Sequence, residues 1–231
     1  AVPHQVINSA WETLDNCRAF RVYGSTEAPV ITQGFVGGDQ QELAATTDGM
    51  IYGYDVKILD DDGNEVGIGV DGEIAARGAG MMLGYADPAQ NAEAHDDEGY
   101  FLTGDIGQRT ANNAILITDR KKDIIIRGGE NISAKEVEDV LHDHPEIREA
   151  AVVAMPHERL GEGVCAYIIA ANDADGLDLE SVARFADQAQ LAKQKIPQHV
   201  EIVPDLPRTA SGKVRKDVLR RQITEQLAGK G

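Results

Sequence analysis

The sequence has little cysteine, few aromatic residues and no long apolar run. Only Cys17 and Cys165 occur among 231 residues, which excludes a disulfide framework and the ligand spacing of a structural metal site and is typical of the reducing cytosol. Aromatic residues make up 5% and hydrophobic residues 42% of the chain, a globular composition. No apolar run approaches a membrane span, and residues 1–10 lack the parts of a signal peptide. We therefore expect a cytoplasmic protein without stable membrane insertion.

Basic residues are also scarce, since 22 Lys and Arg face 39 Asp and Glu and leave a net charge of -17. Residues 1–122 hold 8 basic and 20 acidic residues, or -12, and residues 123–231 hold 14 and 19, or -5. Such a surface disfavours non-specific binding to nucleic acid or anionic lipid. We expect small-molecule partners and no nucleic acid, and the sequence leaves open whether the chain forms a homo-oligomer.

The first half of the chain predicts a helical segment followed by short strands. Apolar residues at helical spacing predict a helix over residues 1–22, followed by a short strand from Phe20 to Tyr23. Between Met50 and Ile117, short β segments alternate with Gly and Asp, and residues 60–64 have the composition of a hairpin turn. These signals predict a small twisted barrel or sandwich that ends near Asp119.

From residue 119 onward the pattern becomes mixed. We expect strands at residues 124–126, 150–155, 164–171 and 200–203, helices that begin at Ser133 and Asp178, and a last helix that carries Val218, Leu219, Ile223 and Leu227. On the helix from Asp178, the inward residues are predicted to be Val182, Phe185 and Ala189. The second half is therefore predicted to be a compact α+β domain.

Residues 23–27 join a predicted strand to a glycine turn that carries a hydroxyl and a carboxylate side by side. Gly24 permits a tight turn, Thr26 can donate to a phosphate oxygen, and Glu27 offers the oxygen ligand that Mg²⁺ prefers. A polar surface turn is the better interpretation when these residues are taken alone.

Residues 100–105 form an aromatic strand that ends on Thr103, Gly104 and Asp105. A carboxylate held there can accept hydrogen bonds from both hydroxyls of a ribose. In isolation, the better interpretation is an aspartate that satisfies local backbone donors.

Residues 119–132 combine alternating charge, three consecutive isoleucines, the adjacent glycines Gly128 and Gly129, and then Glu130 before a helix start. A solvated charge run explains only the first five of these residues. The remainder is a much stronger indication of function.

Residues 206–216 are a loop of small residues that presents Lys213 shortly before the last helix. The spacing is not that of a Walker-type phosphate loop. A lone lysine on a mobile loop suits contact with charge that develops on phosphate or carboxylate oxygens. The alternative, a solvated basic helix start, is disfavoured because the helix dipole opposes basic residues at an N-terminus.

These four stretches, in this order, resemble the adenylate-forming superfamily of acyl-CoA synthetases, firefly luciferase and peptide-synthetase adenylation domains. The resemblance covers essentially the whole chain and implies a mixed α/β and α+β fold. Residues 1–121 would be the C-terminal part of a large N-terminal domain, with a small β-barrel-like subdomain from about residue 50. Residues 122–231 would be a mobile, compact α+β C-terminal domain with its hinge at Lys122.

Residues 128–132 are similar to the CoA-ligase version of their motif. The resemblance therefore implies a ligase of the fatty-acyl or medium-chain acyl-CoA class, which uses ATP, Mg²⁺ and coenzyme A and proceeds through an acyl-adenylate. The catalytic residues would be Lys213, Thr26 and Glu27, the last also the metal ligand. The cofactor-binding residues would be Tyr23 on the adenine, Gly24 and Ser25 in the turn, Asp105 and Arg120 on the ribose, and Gly128, Gly129 and Glu130 along the pantetheine arm.

The sequence departs from the superfamily at several points. Gln194 stands where an aromatic residue is usual, Arg21 precedes the tyrosine turn in an unusual way, and the Ser/Thr/Gly-rich loop that ends in Pro-Lys-Gly is absent. The chain also begins without Met, so we expect a fragment, and because that loop and most of the acyl pocket are missing we expect it to be inactive alone. Two alternatives remain, namely an adenylation domain that loads a carrier protein and a non-catalytic binding remnant. The second is weaker because the implied site residues are all retained.

Overall fold

A computed structural model of the chain describes residue 2, residues 4–171 and residues 176–229. It divides into two compact units, Ala1–Lys121 and Lys122–Gly231. Each unit contains both helices and strands, and the mixed fold class expected from the sequence is confirmed. Among the described residues, no helix is both long enough and apolar enough to cross a bilayer.

The first unit is built on an antiparallel sheet. Its helices are α1 (His4–Thr13), α2 (Gln41–Thr46) and α3 (Pro88–Glu93), and its strands are β1 (Thr32–Gln33), β2 (Met50–Ile51), β3 (Tyr54–Leu59), β4 (Gly72–Gly78), β5 (Phe101–Arg109) and β6 (Ile115–Arg120). Strands β3 to β6 pair in sequence order, and β1 pairs with β2. In the described part of the unit, the four-stranded sheet stays open, so the small β subdomain is not a closed barrel.

The predicted turn at residues 60–64 is present between β3 and β4. One carboxylate oxygen of Asp60 accepts hydrogen bonds from the backbone N–H groups of Asp62 and Asn64, at 3.0 and 2.8 Å. Gly63 has a φ of 81°, a conformation that glycine adopts without steric cost. The turn brings Ile58 opposite Ile74, and both side chains lie in the core of the unit.

The N-terminal segment differs from the prediction, because α1 ends at Thr13 and Phe20–Tyr23 is not a ladder strand. Asn16 has a φ of 55°, which interrupts the helical backbone. The Tyr23 N–H then donates to the Thr32 hydroxyl oxygen at 2.7 Å rather than to a strand carbonyl. A side chain therefore replaces part of the expected β pairing.

The second unit is built around one long central strand. Its strands are β7 (Ile125–Arg127), β8 (Glu130–Ile132), β9 (Ile147–His157), β10 (Gly161–Ala170) and β11 (His199–Ile202), and its helices are α4 (Ala134–His142), α5 (Leu179–Gln188) and α6 (Lys216–Ala228). Strand β10 pairs antiparallel with β9 over its whole length, parallel with β11, and antiparallel with β7 at Gly161. The β7–β8 hairpin extends the sheet beyond β7.

Both faces of this sheet are covered by helices. Alternate residues of β10 enter two different cores: Val164, Ala166 and Ile168 pack with α4 and α5, and Cys165, Tyr167 and Ile169 pack with α6. This alternation follows from the period of two along a β-strand. The unit therefore has three layers, with the sheet between α4 and α5 on one side and α6 on the other.

Two helices begin where the sequence predicts, but one residue that was predicted to face inward is exposed. The Ser133 hydroxyl caps α4 by accepting from the Glu136 N–H at 3.0 Å, and Asp178 caps α5 in the same way. On α5, Val182 and Ala186 are buried, whereas Ala189 is exposed. The prediction for Ala189 was wrong because the helix ends at Gln188 and Ala189 is its C-cap.

Candidate active site

The turn at residues 23–27 has a backbone that requires glycine. A Cβ atom on Gly24 would lie 2.4 Å from the backbone nitrogen of Val30, so no other residue fits without a shift of the chain. The turn is closed by Ser25, whose N–H donates to the Ala28 carbonyl and whose hydroxyl accepts from the Ala28 N–H. The side chain of Thr26 is exposed on this fixed turn, so its hydroxyl is available to a ligand.

Glu27 is held in its ionised form. The pKa of Glu27 is lowered chiefly by a hydrogen bond from its own backbone N–H, and further by bonds from Ser25 and Tyr85 and by the charge of Arg120. The Tyr85 hydroxyl donates to Glu27 Oε1 at 3.0 Å, and the Met82 N–H donates to the Glu27 carbonyl. The sequence analysis missed Tyr85, because a tyrosine 58 positions away in a loop carries no local signal.

Asp105 is a buried carboxylate shared between two donors. The Tyr23 hydroxyl donates to Oδ2 at 2.9 Å, and Arg120 Nε donates to Oδ1 at 2.6 Å. The Asp105 side chain is 8% exposed and that of Arg120 is 41% exposed, so the pair has a buried anion and a cation that reaches solvent. Burial, reinforced by the Asp105 charge, raises the pKa of Tyr23 and keeps its hydroxyl protonated as a donor.

The fold thus gathers predicted residues from three separate segments of the chain. Strand pairing sets Asp105 of β5 opposite Arg120 of β6, and the turn at residues 23–27 supplies Tyr23 and Glu27. Tyr23 belongs to the core of the unit and is 8% exposed; its contact with the adenine stays a prediction.

The residues present fit Mg²⁺ in one limited way. Among the described residues, no group of three or more His, Cys, Asp and Glu side chains is arranged to hold a metal. Mg²⁺ is usually bound through one or two carboxylates, with water and substrate phosphates completing its shell. The ionised, partly exposed carboxylate of Glu27 meets that need, and no enclosed metal cage is required.

Gly128 and Gly129 form the two-residue turn of the β7–β8 hairpin. Their φ values are 61° and 89°, and positive values at both central positions are those of a type I′ turn. The Gly128 N–H donates to the Leu160 carbonyl at 2.8 Å. A Cβ on Gly129 would meet nothing within 4 Å among the described residues, so a ligand can approach this backbone closely. Glu130 is exposed beside it.

Lys213 lies on a loop, as predicted from the sequence, and a single bridge between Arg208 and Val214 closes this loop into a hairpin. The Thr209 N–H donates to the Lys213 carbonyl, and the Lys213 N–H donates to the Thr209 hydroxyl oxygen. At the base of the hairpin, Arg208 donates to Glu149 Oε2 at 2.5 Å and to the Gly212 carbonyl at 3.1 Å. The hairpin therefore fixes the backbone from which the lysine side chain extends.

Lys213 differs from its basic neighbours in the pairing of its charge, since each of these neighbours has a carboxylate partner. Arg208 pairs with Glu149, Arg215 with Asp217, and Lys216 with Glu138. No carboxylate of the described residues lies within 4.0 Å of the Lys213 amine, whose residue is exposed. The lysine is thus an exposed cation on a fixed support, suited to an anionic ligand.

Lys122 lies where the two units meet in sequence, in a 3₁₀ turn over Lys121–Asp123. Its side chain is exposed, and its carbonyl accepts a hydrogen bond from Arg220 of α6 at 2.8 Å.

The two residues that depart from the superfamily pattern, Arg21 and Gln194, both have partners in the structure. Arg21 Nε lies 3.4 Å from Asp48 Oδ1, and the Gln194 carbonyl accepts from Arg127 at 3.3 Å.

Two family models match the chain in the order of its two units. The AMP-binding enzyme model matches residues 1–86, and the AMP-binding enzyme C-terminal domain model matches residues 136–213. The chain belongs to the adenylate-forming AMP-binding enzymes. Its membership agrees with the order of motifs and with the placement of Tyr23, Glu27, Asp105 and Arg120 in a single unit.

The relatives that are similar to this chain include ligases named for different carboxylic acids. The medium-chain fatty-acid–CoA ligase of Escherichia coli strain K12 is 42% identical over 89% of this chain and 37% of its own length. The vibriobactin-specific 2,3-dihydroxybenzoate-AMP ligase of Vibrio cholerae is 35% identical over 90% and 38%. The crystal structure of ATP-bound MatB from Rhodopseudomonas palustris is 32% identical and matches 95% of this chain and 43% of its own, with a TM-score of 0.86. The chain therefore spans about two fifths of the length of these relatives.

Proposed function

We propose that the chain is the C-terminal portion of an acyl-CoA synthetase, which uses ATP to activate a carboxylic acid and transfers the acyl group to coenzyme A. The observation that carries the proposal is the cluster of Tyr23, Glu27, Asp105 and Arg120, which joins a buried anion, a protonated phenol and an ionised carboxylate beside a fixed glycine turn. A nucleotide needs this combination, with acceptors for its ribose and a carboxylate for the Mg²⁺ on its phosphates.

In this proposal the two half-reactions use different residues. In the first, a carboxylate oxygen of the acid attacks the α-phosphorus of ATP and pyrophosphate leaves. Thr26 and Lys213 would hold the oxygens on which negative charge develops, and Glu27 would hold Mg²⁺, which offsets the charge of the phosphates. Asp105 would accept from the ribose hydroxyls, with Arg120 fixing its orientation.

In the second half-reaction, the thiol of coenzyme A attacks the acyl carbon and AMP leaves. Residues 122–231 would rotate about Lys122 to exchange Lys213 for the Gly128–Gly129 turn. The open space beside Gly129 supports this role, because a thin pantetheine arm must pass close to backbone. Coenzyme A is further supported by the similarity to the medium-chain fatty-acid–CoA ligase.

Lys213→Ala in the full-length enzyme tests the assignment of the adenylation lysine. Pyrophosphate release with ATP and a panel of fatty and aromatic acids should fall at least about 100-fold, as when one donor to a developing charge is removed. Thioester formation from a preformed acyl-adenylate should stay within about threefold, since that step does not use the lysine. Lys193→Ala, another exposed lysine of the same unit, should leave both rates unchanged. Unchanged pyrophosphate release in Lys213→Ala would refute the role of Lys213.

A second candidate is an adenylation enzyme that loads a carrier protein. It is favoured by similarity to the 2,3-dihydroxybenzoate-AMP ligase and to a pyochelin synthase, PchD of Pseudomonas aeruginosa, which is 39% identical over 75% of this chain. Replacing free coenzyme A with a phosphopantetheinylated carrier protein in the second half-reaction separates the two candidates. Faster transfer to the carrier protein than to coenzyme A would support this alternative.

A further inference from the structure

We propose that Arg220 is a positioning residue that fixes the first peptide of the C-terminal unit, so that domain rotation is confined to the backbone bonds next to Lys122. The inference rests on the proposed function, because it concerns the rotation between the two half-reactions. It assigns a role to a residue of α6 that lies 98 positions from the hinge.

One guanidinium nitrogen of Arg220 holds two groups at the start of the unit. Nη1 donates to the Lys122 carbonyl at 2.8 Å and to Asp123 Oδ1 at 2.9 Å. The side chains of Arg220 and Asp123 are 28% and 11% exposed, and a charge-assisted bond with limited solvent access is stronger than a neutral one. Since the peptide bond is planar, holding the Lys122 carbonyl also fixes the Asp123 nitrogen relative to α6.

The first unit has its own anchor on the other side of the hinge. Lys121 Nζ lies 2.8 Å from Glu73 Oε2, and Glu73 Oε1 accepts from the Gly104 N–H at 3.1 Å. Arg120, the preceding residue, is paired across the sheet with Asp105. The chain is therefore tied to the first unit up to the side chain of Lys121.

Between these anchors lie the ψ torsion of Lys121 and the φ and ψ torsions of Lys122. Steric clashes confine each pair of φ and ψ torsions to a few allowed regions. Rotation about so few bonds therefore reaches only a few orientations of the second unit, which favours two defined states over a continuum. Without Arg220, the torsions of Asp123 and Ile124 can also turn. The second unit would then sample more orientations, of which fewer are productive.

The rate of trypsin cleavage after Lys122 tests the hydrogen bond from Arg220 directly, because the Lys122 carbonyl must enter the active site of the protease. In the full-length enzyme well below its unfolding temperature, Arg220→Gln should increase cleavage of the 122–123 bond at least about fivefold, as local opening becomes more frequent. Mass spectrometry of the fragments separates this cut from one after Lys121. Arg221→Gln is the matched control, since the one ion pair of Arg221 with a described residue is a 3.8 Å surface contact with Asp217. Equal cleavage in Arg220→Gln and the wild type would overturn the proposal.

The half-reactions separate positioning from a general structural role. Arg220→Gln should slow single-turnover thioester formation, which requires rotation between two defined states, about tenfold. It should slow pyrophosphate release, which also needs Lys213 in place but requires no rotation during the step, by less than about threefold. Arg220→Lys, which can reach one of the two acceptors, should recover part of the loss. Equal loss in both steps, in parallel with a lower melting temperature, would reject the positioning role. Wild-type enzyme that formed no thioester at all would instead reject the proposed function and leave the trypsin result to decide the role of Arg220.

Discussion

Asp105 is the residue whose chemistry is most constrained by its surroundings, because its two oxygens each have a donor and its side chain is 8% exposed. Asp105→Asn keeps the shape and removes the charge that Arg120 and Tyr23 face. We expect urea unfolding of the chain to show a loss of about 1.5–3 kcal/mol in the free energy of unfolding, the usual range for a hydrogen bond to a charged group. In the full-length enzyme, the KM for ATP should rise about tenfold.

The control for this prediction is Asp62→Asn, since Asp62 is exposed at a turn and such substitutions usually change stability by less than about 0.5 kcal/mol. A normal KM for ATP in Asp105→Asn, together with the loss of stability, would mean that Asp105 supports the fold and does not bind the nucleotide.

At the residue scale, the sequence predicts contacts between neighbouring residues and misses contacts between residues that are far apart along the chain. The turn at Gly24 follows from neighbouring residues, because the strain that excludes a side chain arises within the same turn. The partners Tyr85 of Glu27 and Arg220 of Lys122 are 58 and 98 positions away. Their contacts depend on how whole elements pack, which a motif does not encode.

At the scale of elements, the hairpin that carries Lys213 depends on Arg208 at its base. Arg208→Ala removes the bonds to Glu149 and to the Gly212 carbonyl. We expect pyrophosphate release by the full-length enzyme to fall at least about tenfold, because small displacements of a catalytic group are costly. Arg208→Lys should not restore the rate, since a lysine lacks the fork that reaches both acceptors.

Arg184→Ala is the control for this hairpin, because Arg184 forms an exposed pair with Glu180 on α5 and such pairs contribute little. A normal rate in Arg208→Ala would show that the backbone bonds of Thr209 alone keep Lys213 in place.

The elements themselves were predicted unevenly, and the reasons are physical. Strands β9 and β10 were found because both of their faces are apolar and buried, which gives continuous apolar runs. Strand β8 was not predicted, because Glu130 and Asn131 are polar and exposed. The end of α1 was missed by several residues: the helix ends at Thr13 and the positive φ of Asn16 prevents it from resuming, while apolar residues continue beyond that point. The mobility of the loop that carries Lys213 stays a prediction. The backbone hydrogen bonds that close this loop into a hairpin were not predicted, because they have no sequence signature.

At the scale of the whole molecule, each of the two units has a core of its own, from which we expect the chain to fold by itself. Residues 122–231 contain a sheet covered on both faces, and residues 1–121 contain a core of their own. The chain spans 37% of the medium-chain fatty-acid–CoA ligase and lacks a loop of the Ser/Thr/Gly-rich type that ends in Pro-Lys-Gly. A nucleotide held only by the residues present would lack part of the contacts to its phosphates.

We therefore expect the 231-residue chain alone to unfold cooperatively on heating, yet to release no pyrophosphate above background with ATP, Mg²⁺ and the same acids. Cooperative unfolding, followed by circular dichroism, is the necessary control, because an unfolded chain would be inactive for a trivial reason. The full-length enzyme in the same assay should turn over at a rate within the usual range of about 1–1,000 per second. Turnover by the chain alone at a comparable rate would mean that residues 1–231 already contain a complete phosphate site, and that the superfamily's missing loop is replaced by groups within them.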